Sequence, residues 1–91
     1  MKFTYPAVFH KTEQGTYEGY FPDLACCYAK GDTLDEALED AIHSAYDWIS
    51  LELTEEEPDF PPVSDVADLG KSEGEIARNI AVNYPGFLRD R

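Results

Sequence analysis

From residue 2 to residue 10, Phe3, Tyr5, Ala7 and Phe9 alternate with Thr4, Pro6, Val8 and His10. A period of two with aromatic and β-branched content predicts a strand. Pro6 has no N–H to give to a ladder, so it assigns this strand to a sheet edge or to a bulge. The polar run "KTEQG" at 11 to 15 ends in glycine, and "TYEGYF" at 16 to 21 resumes the alternation, which together describe an antiparallel hairpin. Pro22 and Asp23 close the second strand. A third, short strand is expected from Cys26 to Lys30, stopped by Gly31.

Beyond Gly31 the period changes from two to between three and four. Leu34, Ala37, Leu38, Ala41, Ile42, Ala45, Trp48 and Ile49 form one apolar stripe reaching about residue 53, the signature of a helix lying on a sheet. Thr33 followed by Glu36 reads as a capping box, and Asp32 and Asp35 add favourable charge at the helix start. The opposite face carries Glu36, Glu39, Asp40, His43 and Asp47 without a cation to pair them. Pro58, Pro61 and Pro62 then break the pattern through 54 to 70, leaving a loop with a short turn at 64 to 69, anchored by Phe60 and Val63. Alternation returns at Ile76, Arg78, Ile80, Val82 and Tyr84, a last strand closed by Pro85-Gly86. The order is α+β: a three-stranded antiparallel meander, one long helix packed on the sheet, and a final C-terminal strand.

Ninety-one residues with 43% hydrophobic content suffice for one core, so residues 1–91 are expected to form a single domain. Charge sharpens this picture. The chain carries 19 acids against 7 bases, and between Lys30 and Lys71 no Lys or Arg occurs, while Asp32, Asp35, Glu36, Glu39, Asp40, Asp47, Glu52, Glu55, Glu56, Glu57, Asp59, Asp65 and Asp68 all fall there. Such a surface disfavours direct contact with nucleic-acid phosphates and leaves two readings: a solvated face, or a site for a basic protein partner. The N-terminus lacks the apolar run of a signal peptide, and no stretch reaches membrane-spanning length. The expectation is a cytoplasmic protein.

The stretch "YPAVFHKTEQGTYEGYFPDL" followed by "CYAKGDTLDEAL" resembles the HicB-like antitoxin family. Tyr5-Pro6, Pro22-Asp23-Leu24, Cys27 and Gly31-Asp32-Thr33-Leu34-x-Glu36-Ala37 fall in the family's order and spacing, and "DFPPVS" is similar to its proline-bearing loop after the helix. The resemblance implies a partial RNase-H-like fold that binds and silences a small ribonuclease toxin of the HicA type. Two departures accompany it. Ala25 and Cys26 stand where the family has Pro-Gly, and the few residues after the last strand leave no room for the DNA-binding domain that longer relatives append, so operator binding is not carried over.

Adjacent cysteines raise the question of chemistry. On a strand Cys26 and Cys27 would point to opposite faces, and no second Cys/His cluster completes a zinc site, so Cys27 is expected in the core. The first strand carries no acid where an active RNase-H-like fold would hold metal ions on carboxylates. His10 and His43 are isolated, and Asp23 reads as a turn former. No catalytic residue, metal site or cofactor is expected. Three readings stay open: an antitoxin-like binding protein, a nucleic-acid hydrolase on the same fold, or a solitary relative without a toxin. For the first, the expected partner contacts are Asp35, Glu39, Asp40 and Asp47 on the helix with Tyr28, Phe60 and Val63 as apolar anchors. A homodimer is expected through the last strand, at Arg78, Ile80 and Val82.

Overall fold

The computed structural model describes residues 2–70 and 72–84. Strands β1 (Lys2–Lys11), β2 (Tyr17–Tyr20) and β3 (Tyr28–Gly31) form the meander, helix α1 (Leu34–Leu53) follows, and strand β4 (Glu75–Asn83) comes last, after a 3-10 turn at Val66–Asp68. The sheet order is β3-β2-β1-β4 and every pairing is antiparallel. The fold class and the order of elements are those expected from the sequence. The turn Pro85-Gly86, expected to close β4, lies outside the described residues.

The alternation along β1 gives the sheet its two faces. Tyr5, Ala7 and Phe9 are buried beneath the helix with Ile80 and Val82 of β4 and Ala29 of β3, and Ala37, Ala41, Ala45 and Ile49 bring the helix down onto them. The alanines matter: their small side chains let the helix axis approach the sheet, while Phe9 and Ile49, both fully buried, fill the space between. Gly19 lies opposite Phe9 in register, and a Cβ there would collide with the Phe9 ring. The capping box is formed: the Thr33 hydroxyl accepts from the Glu36 N–H at 3.1 Å, and the Glu36 carboxylate accepts from the Asp32 N–H at 3.0 Å. One member of the expected stripe departs from it. Ile42 is 43% exposed, at the margin where the helix turns away from the sheet.

Two features differ from the sequence reading. β1 is an internal strand despite Pro6. Tyr20, the last residue of β2, pairs with Val8, so β2 has ended before it reaches Pro6. Alternation of hydrogen-bonded pairs turns the Pro6 nitrogen to that vacated side, where no ladder donor is required. β3 begins at Tyr28 rather than Cys26, and the two cysteines lie in the turn before it. That turn is closed by hydrogen bonds from the Leu24 N–H to the Phe21 carbonyl and from the Cys27 N–H to the Leu24 carbonyl. Cys26 adopts φ 59°, a left-handed conformation. This accounts for the glycine that the resembled family has there, since only glycine takes that conformation without a steric cost.

The loop after the helix is tied down from both sides. Phe60 stacks on Phe3 with ring centroids 4.8 Å apart and meets Trp48 at 6.4 Å. The Tyr5 hydroxyl donates to the Pro61 carbonyl at 2.7 Å, and Asp23 accepts from both the Ser64 N–H (2.8 Å) and the Ser64 hydroxyl (2.6 Å). Asp23 is therefore a clasp to a segment 41 residues away rather than a local turn former. From Ser64 the chain leads to the 3-10 turn, which lies against β4.

Candidate partner-binding surface

Hydrogen-bonded and non-hydrogen-bonded pairs alternate along antiparallel strands, which settles what each sheet edge presents. The Phe21 N–H donates to the Cys27 carbonyl, so Cys27, Ala29 and Gly31 turn their backbone groups toward β2, while Tyr28 and Lys30 turn theirs outward. One outward donor is already used: the Lys30 N–H donates to the Asp40 carboxylate at 2.9 Å. A helix carboxylate thus caps the β3 edge, a device that blunts strand addition.

Tyr28 is the most exposed aromatic residue of the described chain, at 67%. It stands directly opposite Tyr20 on the outer face, and the next row sets Glu18 opposite both His10 and Lys30. These side chains, with Asp40, line an open hollow of about 530 Å³. A second hollow of about 350 Å³ lies on the other side of Tyr28, lined by Cys26, Ser44, Asp47, Trp48 and Leu51 among others. Leu51 is 70% exposed, and the Trp48 indole N–H donates to the Ala25 carbonyl at 3.2 Å, which fixes the floor. The β3 edge therefore joins exposed apolar surface (Tyr20, Tyr28, Leu51) to helix carboxylates (Asp40, Asp47), the make-up of a protein contact.

The expected partner residues do not form one patch. At 100° per residue, Asp40, Ser44, Asp47 and Leu51 share the flank beside β3, whereas Asp35, Glu39, Ile42 and Tyr46 share the opposite flank. Tyr46 there stacks on Tyr84 with centroids 4.9 Å apart. Phe60 is half-buried between Phe3 and Trp48 and serves as a loop anchor, so it is not a free anchor for a partner. Val63 is 55% exposed on the loop. Tyr20 and Leu51 were missed because the alternation of β2 and the length of the helix account for both without a partner. The available signal was the Tyr20–Tyr28 pairing that a hairpin register would give.

Chemistry is sparse on this surface. Among the described residues no group of three or more His, Cys, Asp or Glu side chains comes together as a metal site. Cys27 is buried, and that burial, with the Asp47 carboxylate nearby, pushes its thiol up to about 11, so it stays protonated and unreactive near neutrality. His10 lies 3.9 Å from Glu18, both well exposed. No helix among the described residues is long and apolar enough to cross a membrane.

Comparison with known proteins adds to this geometry. A family model described as a HicB-like antitoxin of bacterial toxin–antitoxin systems matches residues 5–83. Among solved structures the chain is similar to one from the HicA3 and HicB3 toxin–antitoxin complex, with 26% identity, TM-score 0.69, and 90% of this chain and 100% of that one covered. Its fold also matches the N-terminal domain of the Burkholderia pseudomallei antitoxin HicB (19% identity, TM-score 0.77, 90% and 100% covered). A chain of a toxin–antitoxin complex from Streptococcus pneumoniae has the same fold (23% identity, TM-score 0.73, 91% and 70% covered). No curated protein matches the sequence.

Proposed function

The chain belongs to the HicB-like antitoxin family of bacterial toxin–antitoxin systems, and from that premise we propose that it neutralises a small basic ribonuclease of the HicA type by covering the surface with which the toxin grips RNA. The observation that carries this reading is the β3 edge, where Tyr28 stands exposed between two hollows flanked by Asp40 and Asp47. A ribonuclease must be cationic where it meets phosphate. An antitoxin that competes for that surface needs carboxylates to steer the encounter and apolar side chains to hold it, because exposed ion pairs contribute only about 0 to 1 kcal/mol each. Aromatic anchors near the centre of a contact carry most of the binding energy. Tyr28 fills the anchor role, with Tyr20 and Leu51 beside it.

The role is one of binding rather than catalysis, exerted in the compartment where the toxin acts. In an RNA-cleavage assay with the cognate toxin, the wild-type chain abolishes cleavage near one equivalent. Tyr28→Ala, which removes an exposed ring and leaves the core intact, raises the concentration needed by at least about tenfold. Asp35→Lys with Glu39→Lys, on the far flank, leaves it unchanged. The reverse pattern would move the toxin to the other flank, and failure of the wild-type chain to inhibit would refute the antitoxin reading.

A further inference from the structure

The two edges of the sheet are not equivalent. β3 is four residues long and its Lys30 N–H is taken by Asp40. β4 is nine residues long and bounds the sheet on the opposite side. The Thr12 N–H donates to the Thr16 carbonyl, which fixes the alternation of β1: Val8 and His10 face β2, and Phe3, Tyr5, Ala7 and Phe9 face β4. Their partners Val82, Ile80, Arg78 and Ile76 therefore spend their backbone groups on β1. Ala77, Asn79, Ala81 and Asn83 turn theirs outward. The Arg78 guanidinium curls back to the Ala77 carbonyl at 3.0 Å, and the edge groups of Asn79, Ala81 and Asn83 have no hydrogen-bond partner among the described residues.

We propose that this open edge pairs with the same edge of a second copy, antiparallel and centred on Ala81, to make one continuous eight-stranded sheet. A two-fold axis at Ala81 sets Ala81 against Ala81 and Asn79 against Asn83 of the other copy, so each unpaired donor meets an unpaired acceptor. No like charges face each other across this seam. Charge selects the occupant too: residues 76–84 contain no acid and one arginine, whereas 13 of the 19 acids lie between Asp32 and Asp68. Two copies of a chain of net charge −12 meet at least cost along residues 76–84, the acid-free stretch that follows Glu75 at the start of β4. The buried side chains of Ile80 and Val82 take no part, and what joins the copies is backbone. Ile80→Pro would break the β1–β4 ladder inside one chain, so the informative position is Ala81.

Sedimentation of the full chain should give the mass of two copies. Ala81→Pro removes the outward donor from an exposed edge site, and Ala81→Lys keeps that donor but sets two cations face to face; each should weaken self-association by at least tenfold with the circular dichroism unchanged. Should the proline variant fail to fold, the lysine variant decides. In a Cys26→Ser background, Ala81→Cys should form an intermolecular disulfide on oxidation, since paired Cα atoms at such a site lie about 5.5 Å apart, while Asn79→Cys should not. A monomeric wild type, a dimer indifferent to Ala81→Lys, or cross-linking through Asn79→Cys instead would overturn the proposal.

Discussion

Cys26 holds φ 59° in the turn that leads to β3, and it does so with a Cβ that crowds the following carbonyl. Its side chain is exposed, so no packing offsets that cost. Cys26→Gly should therefore stabilise the fold by about 1 kcal/mol, raising the urea midpoint without changing the slope of the transition. An unchanged midpoint would show that the flexibility glycine adds to the unfolded chain cancels the relief. The neighbouring residue illustrates how much context decides. Cys27 is one position along, buried against the helix, and its thiol is pushed up in pKa by that burial. The expectation that Cys27 lies in the core, drawn from opposite strand faces and the usual burial of free cysteine, agrees with its burial, but the reading of both cysteines as strand residues misplaces Cys26, because a turn and a strand start look alike over two positions.

The helix was legible at once. Its apolar spacing and the Thr33–Glu36 cap are local, and local signals survive in a sequence. Sheet edges are not local. That β1 is internal despite Pro6, that Asp40 caps β3, and that Asp23 clasps Ser64 all depend on residues brought together by the whole fold. The long loop after the helix has little regular structure, and the Asp23 clasp with the Phe3–Phe60 stack accounts for its path. Asp23→Ala should release two charge-assisted hydrogen bonds and cost about 2 kcal/mol of stability, with amide exchange quickening over residues 60–70 before the sheet is affected. Exchange that quickens evenly across the chain would mean that the loop and the sheet unfold as one unit.

At the scale of the molecule the sheet separates two kinds of contact. The β3 and β4 edges lie three strand spacings apart, roughly 14 Å, so a partner at Tyr28 and a second copy at Ala81 do not compete for space. A dimer joined along β4 would carry a Tyr28 surface at each end and bind one toxin at each. Net charge of −12 opposes contact with RNA itself and would speed the capture of the basic ribonuclease proposed as partner. The proposed function rests on occlusion, in which the chain and RNA would claim the same toxin surface. The direct measurement is the equilibrium binding of labelled RNA to a catalytically inactive cognate toxin as this chain is added. The account predicts complete displacement, with the apparent RNA affinity falling in proportion to the free antitoxin concentration. A stable ternary complex of toxin, antitoxin and RNA would contradict it.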